Sequence, residues 1–83
     1  MVMRLDKFLK VSRLVKRRVL AKELVDSGCV SINSHAAKAS SEIKVGDVIS
    51  INQRNIVSNY IVKAIYENAT TEKAETMYER MEP

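Results

Sequence analysis

Only one cysteine, Cys29, and one histidine, His35, occur in this chain. A lone cysteine excludes an internal disulfide and fits a reducing compartment. One Cys and one His fall short of a usual zinc ligand set, so no metal or other cofactor is expected. His35 falls in a turn-like stretch with no nucleophile or carboxylate partner in view, and it is read as an exposed polar residue. Cys29 is read as buried or simply exposed, not reactive. No apolar run approaches the ~18 residues of a membrane span, and no signal peptide is visible, so a cytoplasmic protein without a membrane partner is expected. Asparagine and glutamine, the usual adenine readers of duplex DNA, are absent from residues 4–28. The chain shows no internal repeat and no linker. Its 83 residues accommodate one small domain with a thin stability margin, and they leave little room for a deep catalytic cleft.

Acidic residues are also scarce where basic ones are dense. "RLDKFLKVSRLVKRR", residues 4–18, holds seven Lys or Arg among fifteen residues, and Asp6 is its only acid. Residues 1–22 carry eight positive charges and one negative, residues 23–66 four of each, and residues 67–83 two positive and five negative. The overall +4 is therefore a basic N-terminal end joined to an acidic C-terminal one, a distribution that suits a polyanion partner.

Leu5, Phe8 and Leu9 recur at helical spacing, with Arg4, Lys7 and Lys10 off that face. Carried on, the helix would swing Arg13 toward its apolar side, so a break is expected near Val11–Arg13. A second helix is expected over Arg17–Ser27, with Leu20, Ala21 and Leu24 inward, Arg18 and Lys22 opposite, and Gly28 as a left-handed cap. The period then changes. "CVSIN" alternates as a strand, Asn33–Ser34 suits a turn, and a short strand is expected at Ala36–Ala39. "KVGD" turns into a strand over Val48–Ile51, and Ile56–Tyr66 is β-rich, as one bent strand or two. Ala74, Met77, Tyr78 and Met81 form a helical stripe, so Thr71–Met81 is expected to be a helix. The expected fold class is α+β: a helix-turn-helix pair on a small, mostly antiparallel sheet, with a C-terminal helix. Residues 1–66 form the domain proper, and residues 67–83 form an acidic helical tail packed on it or trailing from it. Tyr60, Tyr66 and Tyr78 are expected mainly in the core, with base stacking the other possible role.

Lys16, Arg17 and Arg18 repel one another and sit where the second helix already presents the positive end of its dipole, so cations there oppose folding. No Ser, Thr, Asp or Asn stands at the expected N-cap. An external phosphate answers both conditions, since it accepts from free N–H groups and pairs with arginine forks. A solvated cationic face and a major-groove DNA reader are the competing readings. A membrane helix would have to expose Leu5, Phe8 and Leu9. Asp6 reads as a first-turn carboxylate, or as an internal partner orienting Arg4 or a nearby lysine.

The run "RLDKFLKVSRLVKRRVLAKELVDSGCVSIN", followed by "KASSEIKVGDVISI", resembles the alpha-L RNA-binding motif. Within that family the likeness is to small stand-alone factors acting on the large ribosomal subunit, in bacterial ribosome-associated quality control or as heat-shock proteins. "EKAETMYE" favours the former branch. The resemblance implies a non-catalytic factor that contacts ribosomal RNA and tRNA on large subunits blocked by peptidyl-tRNA. It also implies support for alanine tailing by an RqcH-type factor. Arg4, Lys7, Arg13, Lys16, Arg17 and Arg18 match the RNA-contacting positions, and Lys10 and Lys22 on the same segment complete the expected set. A monomer is expected. A pseudouridine synthase, which shares the motif, needs a further catalytic domain that this length does not hold. Two residues depart from the pattern: Ser34 stands where glycine is frequent, and Cys29 where a basic or polar residue is common.

Overall fold

The first apolar cluster nucleates the core. In the computed structural model, which describes residues 1–81, Leu5, Phe8 and Leu9 are fully buried on helix α1 (Leu5–Val11). Burying each contributes about 1.5–3 kcal/mol. The helix ends as expected. Ser12 Oγ donates to the Leu9 carbonyl at 3.3 Å, and Arg13 turns left-handed at φ 65°. Before α1, strand β1 (Met3–Arg4) leads directly into the helix.

Helix α2 (Arg18–Asp26) packs on α1 and ends in Gly28 at φ 83°. Its inner face differs from expectation. Ala21 and Val25 are buried and Leu24 is partly buried, but Leu20 is 46% exposed. The helix is rotated so that the i, i+4 pair Ala21–Val25 meets α1, which carries Leu20 to the edge.

Strands β2 (Val30–Ile32), β3 (His35–Ala36), β4 (Glu42–Ile43), β5 (Val48–Gln53) and β6 (Ile56–Val62) follow; all but β4 fall in stretches expected to be strands, and β6 ends at Val62 instead of running on to Tyr66. β3 stops at Ala36 and does not run to Ala39. Residues 39–41 instead serve α1: Leu5 N–H donates to the Ser41 carbonyl at 2.7 Å, and Asp6 N–H to Ala39 at 3.2 Å. β4 was not anticipated and pairs antiparallel with β1. Asn33 and Ser34 both turn left-handed, at φ 50° and 69°, giving the tight turn expected between β2 and β3. Asn33 also fastens that turn to β5, accepting from Val48 N–H at 2.9 Å and donating to Asp47 at 3.1 Å.

The C-terminal segment departs most. Only α3 (Thr71–Glu75) is helical, capped by Thr70. Tyr78–Met81 is strand β7, which pairs antiparallel with β6 from Val62↔Tyr78 to Asn59↔Met81. A longer helix would have left that edge of β6 unpaired. Met77 is fully buried at the bend, and its carbonyl accepts from Lys63 and Ala64. The last two positions of the expected tail lie outside the described residues. The main sheet is thus antiparallel in the order β3-β2-β5-β6-β7, with α1 and α2 capping its core. Tyr60, Tyr66 and Tyr78 pack against that core, Tyr60 and Tyr78 edge to face at 5.5 Å.

Candidate nucleic-acid interface

Asp6 organises the basic segment. It is 3% exposed, yet it lies between two half-exposed arginines. Arg4 approaches side-on, Nε and Nη2 each 3.2 Å from a carboxylate oxygen. Arg18 Nε lies 3.4 Å from Oδ2. Burial pushes the Asp6 carboxyl up, but the Arg4 hydrogen bonds, the Lys7 N–H and the Arg18 charge outweigh it and hold it below the usual carboxylate range. One buried charge thus orients two cations from different elements, and both keep guanidinium surface in solvent. Asp6 is both the first-turn carboxylate and the internal partner of Arg4 that the sequence offered as alternatives, and its second partner is Arg18.

Arg17 is the α2 N-cap residue. No side chain caps that terminus, and no acid stands in its first turn. Lys10, Arg13, Lys16 and Arg17 are exposed and have no ion-pair partner among the described residues. Lys22 is also exposed and borders the same shallow hollow as Arg18. Lys7 is engaged differently, in an ion pair with Glu67. The apolar side of α1 is buried and has no surface to offer lipid, and no helix among the described residues is long and apolar enough to cross a membrane. His35 is exposed and Cys29 half-buried, its Sγ accepting from Ser27 Oγ at 3.3 Å.

A second feature was invisible in sequence. The loop after β6 returns to α1, so that Lys10, Val11, Arg13 and Lys16 face Asn68 and Ala69 across a depression of about 350 Å³. Arg13 Nη2 reaches the Ala69 carbonyl at 3.5 Å. Nothing in "YENAT" signals this, because more than fifty residues separate the two walls and only chain closure joins them.

An uncapped helix start, a ridge of cations without an exposed acid between residues 7 and 22, and a small antiparallel sheet define an RNA-binding module of the alpha-L kind. Residues 3–49 match the S4 domain family. The chain is 49% identical over 76 residues to the RQC P-site tRNA stabilizing factor of Bacillus subtilis, covering 92% of this chain and 88% of that one. It is 38% identical over 64 residues to heat shock protein 15 of Escherichia coli, covering 77% of this chain and 48% of that one. The trimeric structure of Vibrio cholerae heat shock protein 15 superposes with a TM-score of 0.87 at 29% identity, covering 98% of this chain and 83% of that one. The chain belongs to the S4 domain family, in the branch of the RQC P-site tRNA stabilizing factors, with heat shock protein 15 as a relative.

Proposed function

We propose that this protein is a non-catalytic, cytoplasmic RNA-binding factor of ribosome quality control. It binds large ribosomal subunits that carry a stalled peptidyl-tRNA, contacts ribosomal RNA and tRNA together, and supports alanine tailing by an RqcH-type factor. It acts as a monomer. The observation that carries the reading is the Asp6-held pair Arg4 and Arg18 within the basic N-terminal segment. Two guanidiniums fixed by a buried carboxylate lose little freedom on meeting a phosphate, which favours binding. The names borne by the relatives support the choice of a tRNA-occupied ribosome as the target. Arg4, Arg18, Lys10, Arg13, Lys16, Arg17 and Lys22 form the contact surface, and Lys7 contributes from its pair with Glu67. Residues 1–66 form the binding domain, and the acidic segment beyond braces it.

The test is reconstituted tailing on obstructed large subunits with and without the protein, alongside co-sedimentation. The protein is expected to travel with subunits bearing peptidyl-tRNA, to increase tailing when the RqcH-type factor is present, and to do nothing alone. Tailing undiminished in its absence would leave the second reading, a heat-shock-type subunit-recycling factor, which the superposition on the Vibrio protein favours.

A further inference from the structure

We infer that the depression between α1 and the loop after β6 is a nucleotide subsite, in which Lys10, Arg13 and Lys16 hold one phosphate of the bound RNA and the Asn68 amide meets the sugar or base edge. This rests on the RNA-binding reading above and adds a residue outside the matched S4 segment, which ends at residue 49.

Three observations carry it. The hollow holds about 350 Å³, at the small end of the range of ligand pockets, and it has three cations and a carboxamide on its walls. Its far wall is built and tethered: Lys7 pairs with Glu67 on one side, and Arg13 donates to the Ala69 carbonyl on the other. Arg13 also sits in a left-handed backbone conformation that non-glycine residues rarely adopt, and this bend ends α1 beside the hollow. Lys10, Arg13 and Lys16 are exposed and have no ion-pair partner among the described residues, so their charge is free for a ligand. The carboxamide supplies both a donor and an acceptor. That is the equipment needed to read the mixed donor and acceptor edge of an unstacked nucleotide.

The experiment measures tRNA affinity by fluorescence anisotropy for the wild type, Asn68→Asp and Asn55→Asp. The Asn68 side-chain amide is followed by NMR during titration with tRNA and, separately, with polyglutamate. Asn68→Asp places a carboxylate against the phosphate and is expected to weaken binding about tenfold, the scale of one lost RNA contact. Asn55→Asp makes the same charge change at the exposed tip of the β5–β6 hairpin and is expected to stay within about twofold, because a distant exposed charge is screened. Both variants are expected to melt with the wild type, and the Asn68 amide signal is expected to shift with tRNA. If the wild type binds tRNA and the two variants are alike, the subsite is overturned while the RNA reading stands. If polyglutamate moves the Asn68 amide and tRNA does not, the hollow takes acidic peptide instead. A wild type that does not bind tRNA overturns both the subsite and the RNA reading.

Discussion

Nε of Arg18 lies 3.4 Å from Oδ2 of Asp6, so the first turn of the second helix is fastened to the first turn of the first. Arg18 therefore has a part in folding that Arg17, one residue earlier, lacks. Arg17→Glu removes a cation from the positive end of α2 and is expected to leave stability unchanged or raise it by about 0.3–1 kcal/mol. Arg18→Glu exchanges an attraction to Asp6 for a repulsion. Because Arg18 is half-exposed, the cost is expected to be modest, about 1–2 kcal/mol. Both substitutions should weaken RNA binding. Thermal melting separates them: equal melting temperatures would mean that the Asp6 pair contributes nothing.

Asp6→Asn should lower stability at neutral pH by about 1–3 kcal/mol, since charge-assisted hydrogen bonds to Arg4 and the Arg18 pair are lost together. The folded carboxyl is held below its ordinary value, so the unfolded chain takes up the proton more readily. The stabilisation is then fully present above the unfolded value of about 4 and fades as pH falls through the lower folded one. Denaturant unfolding at a series of pH values should show the gap between wild type and Asp6→Asn closing below about pH 4. A gap constant down to pH 2 would contradict the assignment.

If RNA binding neutralises about five phosphates, the logarithm of affinity should fall against that of salt with a slope of roughly −3.5 to −4.5. Binding of a structured RNA measured at several salt concentrations gives the slope directly. A flat response would mean that the cationic ridge is not the interface.

Ser34 holds φ 69° where glycine would bear no strain. Ser34→Gly relieves a left-handed penalty of about 1–2 kcal/mol, against about 0.4–1 kcal/mol of added unfolded-state entropy. The net expectation is a gain of about 0.5–1 kcal/mol, or about 2–8 °C in melting temperature for a domain this size. A lower melting temperature would show that the serine makes contacts worth more than its strain.

Met77 is fully buried and Met81 is 42% exposed. Met77→Ala should therefore cost about 2–5 kcal/mol, and Met81→Ala within about 0.5 kcal/mol. A continuous helix with both residues on its inner stripe would make the two costs similar. Equilibrium unfolding of the two variants distinguishes a strand from that helix.

The amino-acid order alone determined the local elements of the first half of the molecule, though not the β1–β4 pairing within it. Leu5, Phe8 and Leu9 at helical spacing, the break near Arg13, the glycine cap and the alternation at Val30–Ile32 are local patterns, and local physics is enough to read them. The cationic ridge was equally legible, because charge density needs no fold to be counted. Tertiary structure decided what depended on distant partners. Ala74, Met77 and Tyr78 suit a helix by spacing, yet residues 78–81 became a strand because β6 offered an open row of hydrogen-bonding groups. Leu20 looked like core until the packing of α2 on α1 chose Ala21 and Val25 instead. Asp6 gained its second arginine, and Asn68 its place opposite Lys10, only when the chain closed on itself. Spacing along a chain records which face a residue shares, but not which surface that face will meet.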